Sequence, residues 1–241
     1  MSPAVFSTDA RFVRLGTSSD ELSDNRRGDA ELRGDVSATL KALLEADAVP
    51  EQPDFAWIES MQAYNREKTE EFIAGLGKQP PGPDGRMHPQ TLLAAVNEFI
   101  DGDTIVVADG GDILSFARAA LRAETYLDPG ALGCLGVGVP FATSAALNFP
   151  DRRVIAVIGD GSFGLTAMEI DTAVRSGARA VFVVANNEAW GIERNDQLVG
   201  YDGNLVGVDL PDCRYDLVAE GLGAYAERIE KPEDLAAAIE R

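Results

Sequence analysis

From Gln90 to the end of the chain, short apolar runs alternate with stretches of helical periodicity, and this alternation constrains the fold more than any other feature. A helix over 90–100 leads to a strand, "TIVVA" (104–108), and then to a helix opening near Asp112. A Gly-rich stretch, "GALGCLGVGVP" (130–140), runs into a helix of small residues. There follow a strand "RVIAVI" (153–158), a helix over 166–176, a strand "AVFVVA" (180–185) and a long loop. A helix over 214–222, a strand over 224–229 and a last helix entered through Pro232 complete the pattern. Strands this short and this apolar suit burial on both faces, as in a parallel sheet covered by helices. The expected class is α/β, a doubly wound parallel sheet with helices on both faces.

The residues upstream are a different matter. Residues 1–50 read as a strand ("RFVRL"), a polar turn ("GTSSDELSDNRRGD", 16–29) and a helix ("SATLKALLEA", 37–46). That is too little to bury a core alone, so it reads as the end of something larger. Residues 54–76 carry Phe55, Ile58, Met61, Tyr64, Phe72, Ile73 and Leu76 at mostly helical spacing. "GKQPPGPDGRMHP" (77–89), with four prolines and three glycines, is the clearest linker. The expected organisation is thus 1–50, then 51–87 as helix and Pro/Gly-rich linker, then 88–241 as the main domain.

Composition removes several classes of function. A net charge of −19 argues against a nucleic-acid partner, because phosphates are met by clustered Lys and Arg. No apolar run approaches membrane-spanning length, and the N-terminus lacks a signal-peptide pattern, so no membrane partner is expected. Two cysteines, Cys134 and Cys213, give neither a disulfide framework nor a metal spacing, and a cytoplasmic location is expected.

In a doubly wound sheet, ligands bind outside the carboxyl ends of the strands. Three polar clusters fall there: "DGGD" (109–112), "GDG" (159–161) and "NN" (186–187). Asp160 and Asn187 can therefore converge although 27 residues separate them. Gly-Asp-Gly is also ordinary turn chemistry, and Thr166 with Glu169 spells a helix capping box. An Asp, an amide oxygen and nearby carbonyls are hard ligands that suit Mg²⁺ or Ca²⁺ rather than zinc. Mg²⁺ takes only one or two protein carboxylates and shares its other positions with substrate phosphates and water. Glycines on both loops let backbone N–H groups approach phosphate oxygens. The residues alone reach a Mg-diphosphate site on an α/β sheet.

"GDG", a gap of 24 residues and then "NN" resembles the fingerprint of the thiamine diphosphate-dependent superfamily. Acetolactate synthases, 2-oxo acid decarboxylases and 2-hydroxyacyl-CoA lyases are its members. The resemblance covers about 88–241, the diphosphate-type cofactor domain, truncated at its C-terminal end, with 1–50 as the remnant of a central α/β domain. It implies Asp160 and Asn187 as side-chain ligands of Mg²⁺, with the Ala189 carbonyl beside them. It places Gly161 and Ser162 against the diphosphate, with Gly111, Asp112 and Ile113 cradling it. Gly191 and Ile192 join the cofactor-binding set. Leu135, 25 residues before Asp160, stands where the family places the apolar wedge beneath the cofactor's rings. The Gly133 carbonyl would accept the cofactor's 4′-amino group. Glu193, in "NNEAWGIERND", occupies the place of an acid/base residue; its bland alternative is a solvated loop residue beside Arg194.

"NNEAWGIERNDQ" and "ADGGDILSFARA" look most like 2-hydroxyacyl-CoA lyases, with acetolactate synthase-like carboligation or 2-oxo acid decarboxylation as the alternatives. A small 2-oxo acid or a 2-hydroxyacyl-CoA is the substrate implied. A pyrimidine-binding domain, on this or another chain, would supply the activating Glu, and a dimer or tetramer is expected. Both ends look cut, so the chain alone is expected to be inactive, and a non-catalytic cofactor-binding piece is the rival reading. A haloacid dehalogenase-type phosphatase is disfavoured because "DGDT" (101–104) precedes its strand instead of following it. "GCLGVGVP" lacks the preceding strand and third spaced glycine of a dinucleotide fingerprint. His88, before Pro89, is expected to be structural, and Cys134 a small buried filler. Trp190 is left open between pocket and core.

Overall fold

The computed structural model describes residues 9–23, 27–46, 54–82 and 84–241. Two compact units are present, residues 1–66 and 67–241, and the division falls inside one helix. In the first unit β1 (Val13–Gly16) and β2 (Ala30–Arg33) pair in parallel, joined through α1 (Ser19–Ser23). The expected polar turn therefore holds a short helix and leads into a second strand, while Asn25 and its neighbours lie outside the described residues. α2 (Val36–Glu45) starts at Asp35, whose Oδ1 accepts from Ala38 N at 2.9 Å, a standard N-cap. α3 (Phe55–Gly75) matches the helix expected over 54–76.

In the second unit the elements follow in order: α4 (Pro89–Asn97), β3 (Ile105–Asp109), α5 (Asp112–Ala120), β4 (Thr125–Leu127) and α6 (Gly138–Asn148). Then come β5 (Val154–Gly159), α7 (Asp160–Thr166), α8 (Glu169–Ser176), β6 (Val181–Ala185), α9 (Gly191–Gly200), α10 (Tyr215–Gly221) and α11 (Leu235–Glu240). The four strands form one parallel sheet in the order β4-β3-β5-β6.

Period-two alternation sorts the strand residues to two cores. Val106, Ala108, Ile155 and Val157 pack with Leu93, Val96, Ile113, Leu114 and Ile239 on the face covered by α4, α5 and α11. Ile105, Val107, Ala156 and Ile158 pack with Val139, Ala142, Phe163 and Ile170 on the face covered by α6, α7 and α8. All ten residues of β3 and of Val154–Ile158 in β5 are buried, which is what the continuous apolar runs require. The class expected from the alternation is the one observed.

The chain leaves β3 toward β4 and leaves β5 toward β6, on the opposite side. A crevice opens at the carboxyl ends of β3 and β5, where the strand order reverses, and such switch points are where α/β sheets take ligands.

Several local expectations need correction. Helix formation begins at Asp160 itself, directly after β5, and not at 166. Thr166 does not cap α8; the N-cap position is Met168, with no side-chain bond, and Thr166 Oγ1 instead donates to Gly136 O at 2.9 Å. The "long loop" after β6 contains α9. Residues 224–229 make no ladder, although "AYAERI" alternates as a strand would. β4, three residues long at the sheet edge, carries too few apolar positions to stand out in the sequence.

His88 is structural, as expected. It is the N-cap of α4, with Nδ1 accepting from Gln90 N at 3.1 Å and Pro89 in the first turn. Its ring meets Phe116 edge-on, with centroids 5.8 Å apart. Replacing His88 by Ala is expected to cost about 1 kcal/mol, the typical worth of a lost N-cap. A urea-unfolding midpoint indistinguishable from wild type would contradict that role.

Candidate functional site at the sheet switch point

Asp160 is the first residue of α7 and follows Gly159 without a turn, because Gly159 is extended at φ −70°, ψ 151° and still ends the strand. The side chain is thereby delivered to the crevice while only 3% exposed. Burial pushes its carboxyl up from the ordinary value, and backbone N–H groups of Gly161, Ala189 and Glu188 offset this only in part. Its Oδ2 has no hydrogen-bond partner among the described residues, and neither does Ser162 Oγ two residues on, itself 2% exposed. Two buried, unsatisfied oxygens on one helical turn are costly unless something polar completes them.

The opposite wall comes from the segment after β6. Asn187 is exposed, and its Oδ1 accepts from Ala189 N at 3.2 Å. Ala189 bridges Asp209 in antiparallel fashion through Trp190 N to Val208 O and Leu210 N to Glu188 O. That pattern uses the flanking residues and leaves Ala189's own N–H and carbonyl turned away from Asp209. Between Asn187 and Ala189, Glu188 stands at φ 56°, a left-handed conformation uncommon for a side chain of this kind. Arg86 in the linker holds Glu188 through an ion pair of 2.7 Å.

Gly191, Asn187 and Asp112 crowd together: a methyl group on Gly191 would stand 3.0 Å from both Asn187 Nδ2 and Asp112 Oδ2. Asp112 opens α5, and burial pushes its carboxyl up too. Ile192 lies over Gly111, its Cδ1 3.1 Å from where a Cβ would be. Ile113 is buried in the core beside the crevice.

One cleft of about 1000 Å³ gathers Gly111, Asp112, Ile113, Leu135, Asp160, Gly161, Ser162, Asn187, Ala189, Gly191 and Glu193 along its lining. Gly133 and Ile192 stand outside that lining. Glu193 sits in the first turn of α9, not on a loop, and Arg194 pairs with Asp209 at 2.8 Å. Cys134 is exposed, contrary to the buried filler expected, because the 3₁₀ turn at Gly130–Leu132 carries this stretch over the surface.

Trp190, left open by the sequence, lies against Gly161. Three atoms of its ring would be 2.6–2.8 Å from a Cβ at that position, closer than any real contact. Gly161→Ala gains helix propensity worth up to about 1 kcal/mol, but the clash decides the sign. A net destabilisation of about 1–2 kcal/mol is expected, with Trp190→Ala largely suppressing it. Urea unfolding of the two single variants and the double variant tests this; additive effects would mean that the two residues do not touch.

Two side chains that bind the Gly-rich loop, Asp109 and Thr166, do not stand out in the sequence. In the sequence Asp109 is one member of a polar cluster, and Thr166 fits a helix cap. The hint available for Asp109 was its position as the last, fully buried residue of a strand, where a carboxylate needs donors from another segment.

Comparison with known proteins agrees with this geometry. The family described as "Thiamine pyrophosphate enzyme, C-terminal TPP binding domain" matches residues 109–241. A "Probable acetolactate synthase" of Mycobacterium bovis is 35% identical over 217 residues, covering 88% of this chain and 38% of that protein. "2-Hydroxyacyl-CoA lyase 2" of Caenorhabditis elegans is 32% identical over 230 residues, covering 92% and 36%. "2-Hydroxyacyl-CoA lyase 1" of Mus musculus is 29% identical over 252 residues, covering 97% and 42%. The chain thus spans less than half the length of these relatives. It belongs to the thiamine pyrophosphate (thiamine diphosphate) enzyme family and carries that family's C-terminal cofactor-binding domain.

Proposed function

We propose that this chain is the Mg-thiamine diphosphate-binding part of a C–C lyase or carboligase acting next to a carbonyl, most like a 2-hydroxyacyl-CoA lyase. The observation that carries the reading is the pair of buried, partnerless oxygens, Asp160 Oδ2 and Ser162 Oγ, at the switch point of the sheet. Hard oxygen donors of this kind fit a divalent cation and a diphosphate. Asp160, Asn187 and the Ala189 carbonyl would hold Mg²⁺. Gly161 and Ser162 would meet the diphosphate from α7, and Gly111, Asp112 and Ile113 from the start of α5. Leu135 would lie beneath the cofactor's rings, with the Gly133 carbonyl at the 4′-amino group and Gly191 and Ile192 closing one side.

When bound, thiamine diphosphate supplies a nucleophilic thiazolium carbon and an electron sink for carbonyl chemistry. This chain's contribution is to anchor it and to present Glu193 for proton transfer at the reacting carbon. The lyase relatives and the motif around Glu193 favour 2-hydroxyacyl-CoA cleavage; the 35% identity to the M. bovis protein supports acetolactate synthase-like carboligation as the second reading. A pyrimidine-binding domain, on this chain's remainder or on a partner, completes the site, and a dimer or tetramer follows. Cys134 and Cys213, both free thiols, accord with the cytoplasmic placement that remains part of the proposal.

Titration calorimetry in the native assembly tests the cofactor reading: thiamine diphosphate should bind with Mg²⁺ and lose most of its affinity in chelator. Binding that ignores the metal would overturn it. Assaying 2-hydroxyacyl-CoA cleavage beside pyruvate condensation then separates the two activities.

A further inference from the structure

The Gly-rich loop ahead of α6 is gripped at one residue from two sides, by side chains outside the set that would touch the cofactor. Asp109, the last residue of β3, is fully buried. Its Oδ2 accepts from Gly136 N at 3.0 Å and from Gly138 N at 2.8 Å, reaching 27 and 29 residues along the chain. Its Oδ1 has no partner among the described residues. A buried carboxylate is costly unless hydrogen bonds compensate it, so these two amides account for an Asp at this place.

From the other side, Thr166 at the end of α7 donates Oγ1 to the Gly136 carbonyl at 2.9 Å. Gly136 therefore has its N–H and its C=O both engaged by side chains, at a φ of 89°. A Cβ on Gly138 would stand 2.8 Å from Ile158 and 3.0 Å from Asp109 Cβ, so the loop also lies flush against the sheet. Upstream, Ala131, Leu132, Gly133 and Cys134 are all exposed, and the nearest side-chain anchor is Asp128, whose Oδ1 accepts from Gly130 N at 2.7 Å, five residues before Leu135. The side-chain anchors nearest Leu135 are those on its downstream neighbour, Gly136.

On the reading that Leu135 lies beneath the cofactor's rings, we infer that Asp109 and Thr166 are positioning residues, a two-sided clamp on Gly136 that sets where Leu135 enters the cleft. The clamp acts on the ring end of the cofactor and not on its diphosphate. Neither side chain needs to reach the ligand. Loosening the clamp lets Leu135 move, while Asp160, Ser162 and the segment after β6 keep their places.

The test compares two ligands by calorimetry in the native assembly, thiamine diphosphate and inorganic pyrophosphate, each with Mg²⁺. Thr166→Val keeps the shape and removes the donor. It is expected to weaken thiamine diphosphate about tenfold, the worth of one lost hydrogen bond, and to leave pyrophosphate within about twofold. Thr166→Ser, which restores a hydroxyl, should return to wild type. Asp109→Ala should weaken thiamine diphosphate further with the same sparing of pyrophosphate; if it fails to fold, Thr166→Val decides. Hydrogen exchange at the Gly136 and Gly138 amides, read without ligand, should accelerate in Asp109→Ala. Unchanged thiamine diphosphate affinity in a folded Thr166→Val would overturn the clamp and leave the cofactor site standing. Equal weakening of both ligands would also overturn it, by assigning Thr166 a general structural role. Failure of the wild type to bind either ligand would overturn the cofactor reading itself, and the clamp with it.

Discussion

Asp160→Ala is expected to abolish magnesium-dependent binding of thiamine diphosphate, with affinity falling on the order of 100-fold or more, since losing even an outer-shell partner of a metal ligand costs 10–100-fold. Calorimetry with and without Mg²⁺ reads this directly. The same position predicts an opposite effect on the ligand-free protein. Burial raises the Asp160 carboxyl above its unfolded value, with too few donors to offset it. Where the folded group binds a proton more tightly than the unfolded one, stability is greatest below the unfolded value and falls as pH rises through the folded one. At neutral pH the ionised side chain is therefore a burden on the metal-free fold. Asp160→Asn should raise the melting temperature of the metal-free protein at pH 7 while removing metal-dependent binding. A lowered melting temperature at pH 7 would mean that the backbone donors already satisfy the charge.

Glu193→Gln is expected to reduce kcat of the complete enzyme by about 10²–10⁴-fold, the usual contribution of a positioned acid or base. Cofactor affinity should be unchanged. Three observations support a catalytic role for this exposed side chain. Glu193 lines the same cleft as Asp160 and Asn187, and the neighbouring cation, Arg194, is already paired with Asp209 at 2.8 Å. Being in the first turn of a helix, the side chain has a defined direction that a loop residue would lack. Steady-state kinetics together with cofactor titration separate the outcomes. A kcat within about threefold of wild type would remove Glu193 from the chemistry; a parallel loss of cofactor affinity would make it a binding residue instead.

Why the sheet was legible and parts of the site were not has a physical basis. "TIVVA" and "RVIAVI" are buried on both faces, so nearly every residue signals the same state, and the polar clusters after them mark the ligand edge. β4 is a three-residue edge strand, and its few side chains carry no comparable signal. "AYAERI" (224–229) has the alternation of a half-buried strand but no ladder, and alternation reports side chains, not hydrogen-bond partners. α9 mixes charged and apolar residues over "GIERNDQLVG", so it read as loop. Thr166 with Glu169 fits a capping box locally, yet the hydroxyl turned to Gly136, 30 residues away, a competition that no short window can weigh. Asp109 shows the same limit: the motif placed it at the ligand edge, and only the fold reveals that it faces the Gly-rich loop.

β6 has a ladder along one edge only, to β5, and among the described residues no strand lies along the other. Its residues are all half-buried where those of β3 are fully buried. Like the short edge strand β4, this strand should open before the two central strands, β3 and β5. Yet the segment bearing Asn187 and Ala189 hangs directly from it. A ligand spanning Asp160 and Asn187 would fasten this edge strand to the buried β5. By mass action, ligand at 100 times its dissociation constant adds about 2.7 kcal/mol to stability. The cofactor is then also a tie across the sheet, and local opening at β6 becomes a gauge of how fully the domain is loaded.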